Sequence, residues 1–126
     1  MKQIIYTDKA PSPIGPYNQA VLFGNTLYTS GQIAIDPATS QLVLDSIPVQ
    51  TELVMKNLSA VLAAAGMTFE NVVKTTIFLT SMDDFGQVNE VYGSYFDEKN
   101  APARETVAVA GLPKGVNVEI SMVAMK

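Results

Sequence analysis

Between about Pro48 and Ala65 the apolar residues Val54, Leu58, Val61, Leu62 and Ala65 recur at helical spacing, in a chain otherwise dominated by short β-prone runs. That contrast points to an α+β layer, with helices laid over a sheet. Ser46 or Asp45 is the candidate cap of this helix and Gly66 its stop. Asn71 to Thr80 follows, rich in β-branched residues, and then Ser81 to Asp84 offers capping groups for a second helix. There Phe85, Val88, Tyr92 and Phe96 form an apolar stripe that Asn100-Ala-Pro102 ends.

The flanks are β throughout. Lys2 to Thr7 reads as a short strand, and Ala10-Pro-Ser-Pro-Ile-Gly-Pro-Tyr17 cannot be helix or central strand. Ala20 to Phe23 and Thr26 to Ser30 form a hairpin across the two residues Gly24-Asn25. Gln32 to Ile35 is a further short strand, ended by a turn at Asp36-Pro37. Arg104 to Ala110 and Val116 to Met125 are the last strands, joined through a turn at Leu112-Pro-Lys-Gly115. At 126 residues this is one domain, residues 1–126, with room for one core.

Two helices cover only one face of such a sheet, yet two strands ask for burial on both. In Asn71 to Thr80 the alternation puts Val73, Ile77 and Leu79 on one side and Val72 and Phe78 on the other. In the last strand Val116, Val118, Ile120, Met122 and Ala124 oppose a face bearing Val123 and Met125. A loop or a second subunit must cover the remaining face, and an uncovered patch of this kind is uncommon on a monomer. The expectation is an oligomer.

Absences narrow the chemistry. With no Cys, thiolate nucleophiles, disulfides and iron–sulfur ligation are excluded, and with no His the usual general base and commonest zinc ligand are gone. No carboxylate cluster has metal-loop spacing, so no metal is expected, and no phosphate loop supports a nucleotide cofactor. Eight Lys plus Arg against twelve Asp plus Glu leave a net charge of −4, a poor match for nucleic acid or anionic lipid. The lack of a signal peptide or an 18-residue apolar run gives the expectation of a soluble cytoplasmic protein.

An enzyme of this composition works with carboxylates, hydroxyls, Lys, backbone groups, water and a single Arg, Arg104. Its planar guanidinium, at the start of a strand, can clamp a carboxylate through two parallel hydrogen bonds. The plain alternative is an ion pair with Glu119 or a helix-end carboxylate. Glu119, mid-strand between Val118 and Ile120, has a raised pKa if half buried and can then exchange protons with a bound water; otherwise it is a solvated strand residue. Glu105 neighbours Arg104 but points to the opposite strand face, so it does not fill the Arg104 fork. Tyr17 can close over a small ligand, or simply cover core. Ser30-Gly31 offers a hydroxyl and a bare backbone for close approach. Asn89, on the second helix, reads most simply as a polar boundary residue.

Taken together, Ala10-Pro with Ile14-Gly-Pro-Tyr17, Thr29-Ser-Gly-Gln32, Val73-Lys-Thr-Thr76 with Phe78, Val88-Asn89, Pro102-Ala-Arg104, and Leu112-Pro-Lys114 with Val118-Glu-Ile120 resemble the Rid (YjgF) family of reactive-intermediate deaminases. The resemblance runs from Ala10 to Ala124. It implies a chorismate-mutase-like fold, a mixed six-stranded sheet with two helices packed on one face, and a homotrimer with three sites in clefts between subunits. It also implies hydrolysis of 2-iminobutanoate and 2-iminopropanoate, the imines left when pyridoxal-phosphate enzymes dehydrate Ser or Thr, to 2-oxo acids and ammonia, with no cofactor in the protein itself. Residue by residue, Arg104 matches the carboxylate-binding Arg, Glu119 the acid that helps hold water, and Tyr17, Ser30, Gly31 and Asn89 the cleft lining. Two departures stand out. Glu105-Thr106-Val107 replaces the common Ser-Cys-Val, leaving the Thr106 backbone carbonyl in place on the Arg104 face, and Gly111 stands where the family has a second Arg before Leu-Pro-Lys. The competing readings are a non-enzymatic small-carboxylate-binding or regulatory member of the same family, and a related hydrolase acting on a carbamate or other C–N compound.

Overall fold

Ser46 starts the first helix by accepting a hydrogen bond from the Val49 amide on its side chain at 3.2 Å, and Pro48 occupies the first turn, where no amide is needed. The helix, α1, spans Ile47–Ala64 in the computed structural model, which describes residues 1–126. Gly66, at φ +73°, ends it: its amide bonds Ala63 O, and the Met67 amide bonds Leu62 O, both at 2.9 Å, the paired closure that a left-handed residue permits.

Six strands form one sheet: β1 (Lys2–Ile5), β2 (Ala20–Phe23), β3 (Thr26–Thr29), β6 (Val72–Leu79), β7 (Ala103–Ala108) and β8 (Val118–Met125), in the order β1-β2-β3-β8-β6-β7. Neighbours are antiparallel except β6 and β7, which run parallel because the second helix, α2 (Phe85–Gly93), carries the chain back over the sheet between them. The sheet is therefore mixed and six-stranded, with two helices. Val54, Leu58, Val61 and Leu62 of α1 and Val88 and Tyr92 of α2 share one core with Leu27, Ile77, Leu79, Val118, Ile120, Met122 and Ala124, so both helices lie on the same face.

Three expectations change. The segment Gln32 to Ile35 is not a strand of the main sheet: Gln32 makes a single bridge to Ile120, and β4 (Ile35–Asp36) pairs only with β5 (Gln41–Leu42). The reason lies in α1, whose buried Asn57 donates to the carbonyls of Ile33 and Ile35 and so binds this segment to the helix. Secondly, the alternation assumed for β6 slips at a bulge between Val72 and Lys74. Val72 is buried and Val73 exposed, the reverse of the expected phase relative to Ile77 and Leu79. Finally, α2 stops at Gly93, well before Asn100; the Ser94 hydroxyl bonds back to Val91 O at 2.6 Å, and a separate short turn of helix spans Glu98–Asn100.

The opposite face of the sheet stays open. Ladder register puts Ile4, Val21, Phe23, Tyr28, Val123, Phe78 and Glu119 on it together, and Ile4, Phe23 and Tyr28 are each about half exposed. No loop of the chain covers them. No helix is long and apolar enough to cross a membrane.

Candidate functional site

The proline-rich segment is shaped by a residue that sequence reasoning passed over. Buried Gln19 accepts from the Thr7 amide at 2.7 Å and donates to the carbonyls of Thr7, Ala10 and Pro11, gathering four backbone groups of a segment with few amides of its own. A lone Gln beside a strand carries no pattern that announces such a role. Held this way, the loop walls a cavity of about 410 Å³ whose lining includes Tyr17, Ser30, Gly31 and Glu119. Ser30 is anchored through its amide to Gln19 O at 2.9 Å and through its hydroxyl to Asn18 O.

Glu119 is half buried there on the open face of β8, and burial alone raises its carboxyl above the ordinary 4.5. The carboxyl rests against Gly31, where a Cβ would lie 2.0 Å from Oε2. Paired bonds between Gln32 and Ile120, at 2.8 and 3.1 Å, press these two segments together. Glycine is demanded at this position by close approach.

Arg104 belongs to a different cavity, also about 410 Å³, lined by Asn89, Tyr92, Phe96 and Pro102 among others. Its Nη1 donates to Asn89 Oδ1 at 2.8 Å, and its guanidinium carbon lies 5.1 Å from the centroid of the Tyr92 ring and 5.6 Å from that of Phe85. Tyr92 donates its hydroxyl to Thr75 Oγ1 at 3.0 Å; burial foremost keeps its pKa raised, so the donor stays protonated. Phe85, Asn89 and Tyr92 stand four and three residues apart, one face of α2 presented to β7. That spacing was in the sequence, but the two rings read there as core alone. Thr106 shares the Arg104 strand face, and its buried hydroxyl has no hydrogen-bond partner.

The candidate residues thus fall into two groups: Tyr17, Ser30, Gly31 and Glu119 in one, Asn89, Arg104 and Thr106 in the other. Register explains the division. Arg104 and Thr106 pair with Thr75 and Ile77, which face the helices, whereas Glu119 pairs with Phe78, which faces away. Arg104 and Glu119 therefore lie on opposite faces of one sheet, with β6 between their strands, and the alternative of an ion pair between them fails. Glu105, as expected, leaves the Arg104 fork alone: it accepts from Thr76 Oγ1 at 2.7 Å and pairs with Lys74 at 3.1 Å, the one ion pair in the chain.

A family model described as endoribonuclease L-PSP matches residues 7–126. A RutC family protein of Synechocystis is 54% identical over 124 residues, covering 98% of this chain and 95% of that one. The 2-iminobutanoate/2-iminopropanoate deaminase of Rattus norvegicus is 48% identical over 126 residues, covering 100% of this chain and 91% of its own. Among solved structures, a protein of the conserved Rid family from Yersinia pestis is 50% identical with a TM-score of 0.97, each chain covered in full. E. coli TdcF with bound serine is 41% identical with a TM-score of 0.92, covering 98% of each chain.

Proposed function

The chain belongs to the Rid (YjgF) family, whose model runs from residue 7 to its end, and from that membership we propose that it is a deaminase hydrolysing 2-iminobutanoate and 2-iminopropanoate to 2-oxo acids and ammonia. The observation that carries this reading is the state of Arg104. It is the only Arg of an acidic chain, held by a neutral amide and two aromatic rings and by no carboxylate. Most of its N–H donors remain for an anion entering the cavity. The mammalian relatives at 47–48% identity that bear the deaminase name support the same assignment.

Within one chain Arg104 and Glu119 cannot meet a single small ligand. The open apolar face supports an assembly of copies, and the chorismate-mutase-like homotrimer that the resemblance implies would let the Arg104 group of one copy meet the Tyr17, Ser30, Gly31 and Glu119 group of the next. In that cleft Arg104 clamps the carboxylate of the imino acid. Glu119, as carboxylate, takes a proton from a water whose oxygen adds to the imine carbon, and the water's C–O bond forms as the C=N double bond becomes single. Glu119 returns that proton to the carbinolamine nitrogen, the C–N bond breaks and ammonia leaves, and the carbonyl forms as the hydroxyl passes its proton to the regenerated Glu119 carboxylate. A protonated imine is already electrophilic, so holding the two reactants together and relaying protons through one carboxylate suffice.

The test is release of 2-oxo acid from freshly generated imine, with semicarbazide competing, for wild type, Arg104→Ala and Arg104→Lys. Acceleration by wild type that both variants lose supports the deaminase and a two-pronged grip. No acceleration, with 2-oxobutanoate still bound through Arg104, leaves the non-enzymatic carboxylate-binding reading in its place.

A further inference from the structure

Arg104 is tied into a closed circuit. Its backbone pairs with Thr75 across the β6–β7 ladder, the Thr75 hydroxyl accepts from Tyr92, and the Tyr92 ring lies 5.1 Å from the Arg104 guanidinium. Tyr92 is 5% exposed and packs against Phe96 with ring centroids 4.8 Å apart, so its own freedom is small. Phe85 adds a second ring at 5.6 Å, and Asn89 fixes rotation through one N–H. A carboxylate in place of these rings would hold the cation more tightly, but it would consume the donors that a ligand needs. An aromatic face attracts the cation while leaving every N–H free.

We propose that Tyr92, assisted by Phe85, is a positioning residue for Arg104, holding the guanidinium plane so that the donors Asn89 leaves unused face the cavity as a preformed fork for the carboxylate of a 2-imino or 2-oxo acid. The proposal rests on Arg104 being the carboxylate anchor. Arg is rich in rotamers, and a fork ordered before the ligand arrives removes that ordering cost from binding.

Calorimetric titration with 2-oxobutanoate tests it on wild type, Tyr92→Leu, Tyr92→Phe, Phe85→Leu, Arg104→Ala and Val88→Ala. Val88 is buried in the same helix and makes no contact assigned to Arg104, so its truncation reports packing loss alone. The expected result is a Kd raised about 3- to 30-fold by Tyr92→Leu, the range of a partly desolvated cation–π contact. Tyr92→Phe, which keeps the ring, restores most of the affinity, Phe85→Leu gives a smaller loss, and Val88→Ala binds as wild type. In turnover the Tyr92→Leu change falls on KM with kcat nearly kept. If Tyr92→Leu binds as wild type, or if Val88→Ala weakens binding as much, Tyr92 is packing only and the proposal fails. Should Tyr92→Leu not fold, Phe85→Leu against Tyr92→Phe decides, since full affinity in Phe85→Leu overturns the ring shelf. Arg104→Ala binding as wild type would remove the anchor itself. A wild type that binds 2-oxobutanoate through this shelf yet hydrolyses no imine would leave the positioning role standing without the deaminase.

Discussion

The Glu119 carboxyl lies so close over Gly31 that a Cβ on Gly31 would stand 2.0 Å from Oε2 and 2.8 Å from Cγ. The acid can occupy its place only because residue 31 has no side chain. Gly31→Ala must push the carboxyl aside, and a displacement of about 1 Å at a reacting group costs on the order of 10²-fold in rate. Steady-state kinetics of imine hydrolysis should show that loss mainly in kcat, while overpacking lowers stability by about 1–3 kcal/mol in denaturant titration. A fully active Gly31→Ala would remove Glu119 from the chemistry.

Burial raises the Glu119 pKa above 4.5, and the sign of its effect on stability follows. Between the unfolded and folded values the native state binds more protons than the unfolded one, so stability falls as pH rises through that window. Glu119→Gln abolishes the titration. Thermal melts should find the variant at least as stable as wild type at pH 7, with its advantage shrinking as pH falls through the raised Glu119 pKa toward 4.5 and constant below that, while its deaminase activity is lost. Greater stability of wild type at pH 7 would contradict burial as the cause.

If one site draws Arg104 and Glu119 from two copies, inactive variants complement each other. Arg104→Ala still carries an intact Glu119, and Glu119→Gln an intact Arg104. Unfolding and refolding an equal mixture should return about one quarter of wild-type activity, the chance that random assembly joins two intact halves. Each variant treated alone should stay inactive. A mixture as dead as its parents would overturn a site shared between copies, and with it the joint role of Arg104 and Glu119.

Gln19 satisfies one amide and three carbonyls of the segment from Thr7 to Pro11. Gln19→Leu fills similar space but strands those groups, and buried polar groups left unpaired cost about 1–3 kcal/mol. Because the same segment walls the Tyr17 cavity, a raised KM is expected along with the lower denaturation midpoint. Loss of stability with KM unchanged would detach the loop from ligand binding.

Much of the fold was legible because it is written in local periodicity. Val54, Leu58, Val61 and Leu62 announce a buried helix face, Gly24-Asn25 a tight hairpin, and the even-numbered residues from Val118 to Ala124 a strand face, each within a few residues of one another. What resisted reading depends on contacts distant in sequence. Val72 and Val73 exchange places through a bulge set by pairing with β8, and Ile33 and Ile35 leave the main sheet because Asn57, more than twenty positions away, takes their carbonyls.

The candidate site divides the same way. Residue chemistry and motif order single out Arg104, Glu119, Tyr17, Ser30, Gly31, Asn89 and Thr106 from the sequence alone, together with a second sheet face rich in apolar residues. Which of them share a cavity was decided by tertiary register. The parallel pairing of β7 with β6 turns Arg104 toward α2 and its two rings, and the antiparallel pairing of β8 turns Glu119 to the far side against Gly31. Strand pairing is made by backbone groups whose partners no local pattern names, and a shift of one residue sends every side chain to the other face.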